Sequence, residues 1–68
     1  MLTLDSYLET IKPTYEVKFH NEQYITGTRL AIEVYKGEVM AKTVVDYSWL
    51  ANEDAIIQEI RRMIEELG

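Results

Sequence analysis

The chain has 68 residues, 47% of them hydrophobic and 28% charged, which is the balance of one small folded domain rather than a disordered segment. Twelve acids against seven bases give a net charge of −5, opposing the Lys- and Arg-driven affinity that nucleic acids and anionic membranes demand. The absence of cysteine excludes disulfides, thiolate metal sites and cysteine nucleophiles, and with no long apolar run and no basic-then-apolar leader the expectation is an intracellular, cytoplasmic domain without a membrane partner.

In chain order, Thr3 is placed to cap a short helix with Asp5 in its first turn, where the helix dipole favours a negative charge. Leu4, Tyr7, Leu8 and Ile11 fall on one stripe at helical spacing. Pro13 ends the segment, since it lacks an N–H and disfavours helical geometry at Lys12. A helix this short needs something to dock against.

From Thr14 the period becomes two: Tyr15, Val17 and Phe19 alternate with Glu16, Lys18 and His20, the pattern of a strand with one buried face. His20-Asn21-Glu22-Gln23 reads as a turn, and Tyr24 to Gly27 reads equally as loop or as the start of a strand. Thr28–Tyr35 and Glu38–Val45 form a predicted hairpin closed by Lys36-Gly37, with Gly37 supplying a positive φ. That register sets Val34 opposite Val39, Ile32 opposite Ala41 and Leu30 opposite Thr43 on a core face. The other face carries Arg29, Ala31, Glu33, Tyr35, Glu38, Met40, Lys42 and Val44, with Glu33 diagonal to Lys42.

Asp46–Ala51 is a connector, and Asn52 caps the last helix, with Ser48 as a competing cap. Its stripe is Ile56, Ile60, Met63, Ile64 and Leu67, with Glu53 and Asp54 in the first turn. The order helix, three antiparallel strands, helix predicts a two-layer α+β domain over residues 1–68, both helices on one sheet face.

The run Pro13-Thr14-Tyr15-Glu16-Val17 is similar to the proline-x-tyrosine entry to the first strand of double-stranded-RNA-binding domains, and Leu30-Ala31-Ile32-Glu33-Val34 resembles their second strand. The resemblance spans most of the chain and implies the same α-β-β-β-α architecture. It also implies RNA contacts from the start of the second helix, the loop after the first strand and a polar residue of the first helix. At those places stand Asn52-Glu53-Asp54-Ala55, His20-Asn21-Glu22-Gln23 and Glu9, so the phosphate-binding lysines are replaced by acids.

Nothing in the sequence assembles catalytic, metal or cofactor chemistry. His20 with Glu22 lacks the further ligands a metal needs, no hydroxyl sits in a nucleophile or phosphate-loop pattern, and Thr26-Gly27-Thr28 reads as a turn. The expected function is a non-catalytic protein-interaction module, in one form a small acidic regulator or inhibitor, and in another a homodimer. Its leading candidate surface is the uncovered sheet face, with Tyr35, Met40, Val44, Glu33 and Lys42, and the acidic last helix is the alternative surface. Two alternatives stand beside it. One is a degenerate double-stranded-RNA binder using Lys12, Lys18, Lys36, Lys42, Arg61 and Arg62; the other is an acidic nucleic-acid mimic. Trp49 and Leu50 are expected to close the core beneath the last helix, with an exposed binding anchor as the other reading of Trp49.

Overall fold

A computed structural model describes residues 3–68. Helix α1 (Leu4–Ile11) leads into three antiparallel strands, β1 (Glu16–Tyr24), β2 (Gly27–Lys36) and β3 (Val39–Asp46). A 3₁₀ turn (Tyr47–Ala51) and helix α2 (Glu53–Leu67) complete the α+β order. The sheet order is β1-β2-β3, with β2 central. Among the described residues, no helix is long and apolar enough to cross a membrane.

The caps form as the side-chain chemistry requires. Thr3 Oγ1 accepts the Ser6 N–H at 3.1 Å, and Asn52 Oδ1 accepts the Ala55 N–H at 3.1 Å. Ser48 does not cap α2; its own N–H donates to Asp46 Oδ1 at 2.9 Å, which starts the 3₁₀ turn. A second acceptor reaches α1 from far along the chain: the Leu4 N–H donates to Glu53 Oε1 at 3.2 Å. This contact ties the N-terminus of one helix to that of the other, and Arg61 sits 5.4 Å from the Tyr7 ring centre along the same junction. Lys12 keeps helical angles (φ −52°, ψ −39°) despite the proline after it. The helix still ends there, and Thr14 and Tyr15 both donate to the Ile11 carbonyl, so the chain closes one last turn before it extends.

The core is one cluster: Tyr7 from α1; Leu30, Ile32 and Val34 from β2; Val45 from β3; and Ile56, Ile57, Ile60 and Met63 from α2. Leu4, Leu8, Ile11, Tyr15, Val17, Phe19, Ala41, Ile64 and Leu67 pack around it, half-buried. Both helical stripes and a single sheet parity enter this cluster, which supports the expected placement of both helices over the Leu30–Ile32–Val34 side. Ile57 joins the predicted stripe in the core, where α2 contacts β2, β3 and α1. Trp49 packs against the cluster, while Leu50 stays 47% exposed.

Two sequence readings are corrected by the strand register. First, His20-Asn21-Glu22-Gln23 is not a turn. β1 runs unbroken from Glu16↔Tyr35 to Tyr24↔Gly27, and the turn is Ile25-Thr26. Asn, Gln and Glu are poor strand formers alone, but a nine-residue ladder with β2 outweighs that preference. Gly27, at φ +132°, absorbs the distortion on leaving the turn.

Second, the β2–β3 loop is Gly37-Glu38 rather than Lys36-Gly37. Lys36 pairs with Val39, Val34 with Ala41, Ile32 with Thr43 and Leu30 with Val45. The slip is two residues, so every side chain keeps its predicted face while changing its neighbour. The cause is the turn itself. Gly37 has φ +61° and no other loop residue has positive φ, the pattern of a type II′ turn with glycine in the first central position. A Lys36-Gly37 loop would put lysine there.

Candidate interaction surface

Opposite the core, the pleat presents the even-numbered residues of β1 and β3 and the odd-numbered residues of β2. The register sorts them into rows across the sheet. Glu16, Tyr35 and Met40 form the row nearest Gly37. Next come Lys18, Glu33 and Lys42, then His20, Ala31 and Val44, then Glu22, Arg29 and Asp46. Two of these rows are fully charged and alternate in sign, plus-minus-plus in one and minus-plus-minus in the other.

All five residues expected to form the surface lie on this face, though not as one patch. Tyr35 and Met40 are direct cross-strand neighbours, Met40 42% exposed and Tyr35 half-buried. Glu33 and Lys42 are directly opposite rather than diagonal, a consequence of the corrected register. Val44 stands apart, because Lys42 lies between it and Met40 along β3.

Three side-chain contacts on this face converge on Glu22, a residue whose local composition reads as a turn. Glu22 accepts from Lys42 Nζ at 2.7 Å and from Tyr24 Oη at 2.8 Å, and His20 Nε2 lies 3.1 Å away. Glu22 is on β1 and Lys42 on β3, so the lysine stem must cross the central strand. The crossing point is Ala31, between Glu33 and Arg29, where the side chain is a single methyl; Ala31 is fully buried although it is on the open face. Lys42 foremost, with Tyr24 and His20, holds the Glu22 carboxyl at a pKa of about 2, while the same bond raises that of Lys42. Tyr35 donates to Glu33 at 2.8 Å, which raises the phenol's pKa, and Lys18 stands 5.2 Å from the Tyr35 ring centre. The sequence carried no alternation for this half of the face, because Asn21 and Gln23 are as polar as their neighbours His20 and Glu22.

Elsewhere the cations do not gather into a polyanion site. Lys18 and Lys42 belong to the sheet face, Lys36 donates to the Gly68 carbonyl, and Arg62 on α2 is held by Glu59, Glu66 and Thr43. The start of α2 exposes Glu53 and Asp54. A shallow groove of about 440 Å³ runs between α1 and β1, lined by Leu8, Glu9, Lys12, Tyr15, Glu16 and Val17. Among the described residues, no three His, Asp or Glu side chains cluster to hold a metal ion.

Compared with protein-family models, with curated proteins and with solved structures, the chain matches none.

Proposed function

We propose that the chain is a non-catalytic protein-interaction module that docks through the open face of its sheet. The observation that carries this reading is the pairing of Tyr35 with exposed Met40 beside the charged Lys18–Glu33–Lys42 row, with the Glu22–Arg29–Asp46 row further along the same face. Aromatic and methionine side chains anchor interfaces, and the flanking charges select the partner's orientation. The Lys42–Glu22–Tyr24 network holds part of that surface in a fixed arrangement before any partner arrives, which lowers the ordering cost of binding. The test replaces Tyr35 with the photocrosslinker p-benzoylphenylalanine and irradiates the protein in extract of its source. A specific adduct is expected at position 35, absent with the crosslinker at exposed Thr14 and lost on Met40→Glu. Equal labelling from both positions, or none, refutes the reading.

The element order supports a second reading, a fold of the double-stranded-RNA-binding type. The acids at the start of α2 and the dispersed cations weigh against RNA as its ligand, because duplex recognition rests on phosphate and 2′-hydroxyl contacts. Salt-sensitive binding to duplex RNA at low ionic strength would reverse that preference.

A further inference from the structure

The sheet has two free edges, and they differ in a way the register makes explicit. In a two-residue hairpin the pair flanking the loop exchanges hydrogen bonds, and such pairs then alternate along the ladder. Lys36↔Val39 flanks one loop and Tyr24↔Gly27 the other. The even residues of β1 therefore bond to β2, and Val17, Phe19, Asn21 and Gln23 turn their N–H and C=O groups outward. Among the described residues, none of these outward groups has a hydrogen-bond partner. β1 carries no proline, glycine or bulge, the usual defences of an exposed edge. Its core-side Val17 and Phe19 stay half-buried, whereas Leu30, Ile32 and Val34 of β2 are sealed.

We infer that the β1 edge pairs antiparallel with β1 of a second copy of this chain, about a two-fold axis at His20, making a continuous six-stranded sheet. The argument is the charge order. With His20 on the axis, all nine residues of β1 pair, and Lys18 lies opposite Glu22 of the second copy. The row Lys42–Glu33–Lys18 then continues into Glu22–Arg29–Asp46 of the other copy, so sign alternates at every step across six strands. The symmetry repeats this row on the far side of the axis. A slip of two residues either way removes both Lys18–Glu22 pairs and shortens the ladder to seven residues. One such slip also sets Glu16 against Glu22.

The other edge lacks this self-complementarity. β3 runs from 39 to 46, so its midpoint lies between two residues, and no two-fold pairs its whole length while matching outward groups. Centring it on Lys42 opposes two lysines. On the helix side of the β1 pairing, the two Phe19 rings become diagonal neighbours and cover each other's exposed flank. This proposal does not depend on which protein the open face binds.

The test uses the full chain. Sedimentation equilibrium up to ~1 mM, the weak end of specific affinities, is expected to give twice the 8.0 kDa chain mass. Asn21→Pro removes an outward N–H without touching the β1–β2 ladder and is expected to return the mass to one chain with unchanged circular dichroism. His20→Cys supplies a register test that needs no disruption, since the native chain has no cysteine. Across the axis the two Cα atoms are about 4.5 Å apart, within disulfide range. At Lys18→Cys the two copies are roughly 13 Å apart along the strand and do not crosslink. A single-chain mass throughout overturns the proposal. So does a dimer that His20→Cys fails to crosslink, that Lys18→Cys crosslinks equally, or that survives Asn21→Pro.

Discussion

Replacing Lys42 with methionine keeps a flexible chain over Ala31 and removes the charge that crosses the sheet. Lys42 is the largest influence on Glu22, whose carboxyl titrates at about 2 against an ordinary 4.5. An opposite charge within 4–6 Å lowers a carboxyl pKa by about 1–3. Lys42→Met is therefore expected to raise the Glu22 midpoint by about 1–2, while the bonds from Tyr24 and His20 keep it below 4.5. The assay is a carboxyl-carbon NMR titration of both proteins. The sign for stability follows by linkage. Glu22 has its pKa depressed on folding, so its contribution is complete above about 4.5 and is lost as pH falls toward about 2. In Lys42→Met the lower end of that window moves up, and the urea midpoint falls less steeply between neutral pH and pH about 2. A wild-type midpoint near 4.5, or a midpoint near 2 that Lys42→Met leaves unmoved, refutes a salt link spanning the three strands.

The remaining predictions concern the scaffold. Ile60→Ala empties a fully buried site where α2 meets the sheet and is expected to cost ~2–5 kcal/mol, read as a lowered urea midpoint; a cost like that at an exposed position would contradict the core assignment. Gly37→Ala meets no steric obstacle within 4 Å, so its whole effect is the strain of a left-handed residue, about 1–2 kcal/mol. In a chain this size that is a thermal shift of roughly 4–16 °C, and no shift at all would mean that residue 37 does not carry the turn.

The helices were legible because their ends carry chemistry of their own: Thr3 and Asn52 cap where the pattern places them, and the apolar stripes follow at 3.6-residue spacing. Strand faces were equally legible, since alternation alone assigns Leu30, Ile32 and Val34 to one side. Register was not. It depended on which turn position Gly37 occupies, a one-residue difference in loop placement that shifts every cross-strand pair by two. The end of β1 was hidden for a related reason. His20, Asn21, Glu22 and Gln23 have the composition of a turn, and only the ladder with Thr28–Ala31 makes them a strand. The candidate surface was accordingly half visible. Tyr35, Met40, Val44, Glu33 and Lys42 were placed on the right face, but Glu22, the centre of its polar network, required the pairing of all three strands.

The central claim, that the helices seal one side of the sheet and leave the other open to a partner, is most directly tested by methionine oxidation with peroxide, read by mass spectrometry. Met40 lies 42% exposed on the open face, and Met63 is fully buried on the core side of α2. Rapid sulfoxide formation at Met40, with Met63 unreacted until the protein unfolds, is the predicted result. Equal oxidation of the two in the native protein, or protection of Met40 in the isolated chain, would contradict it.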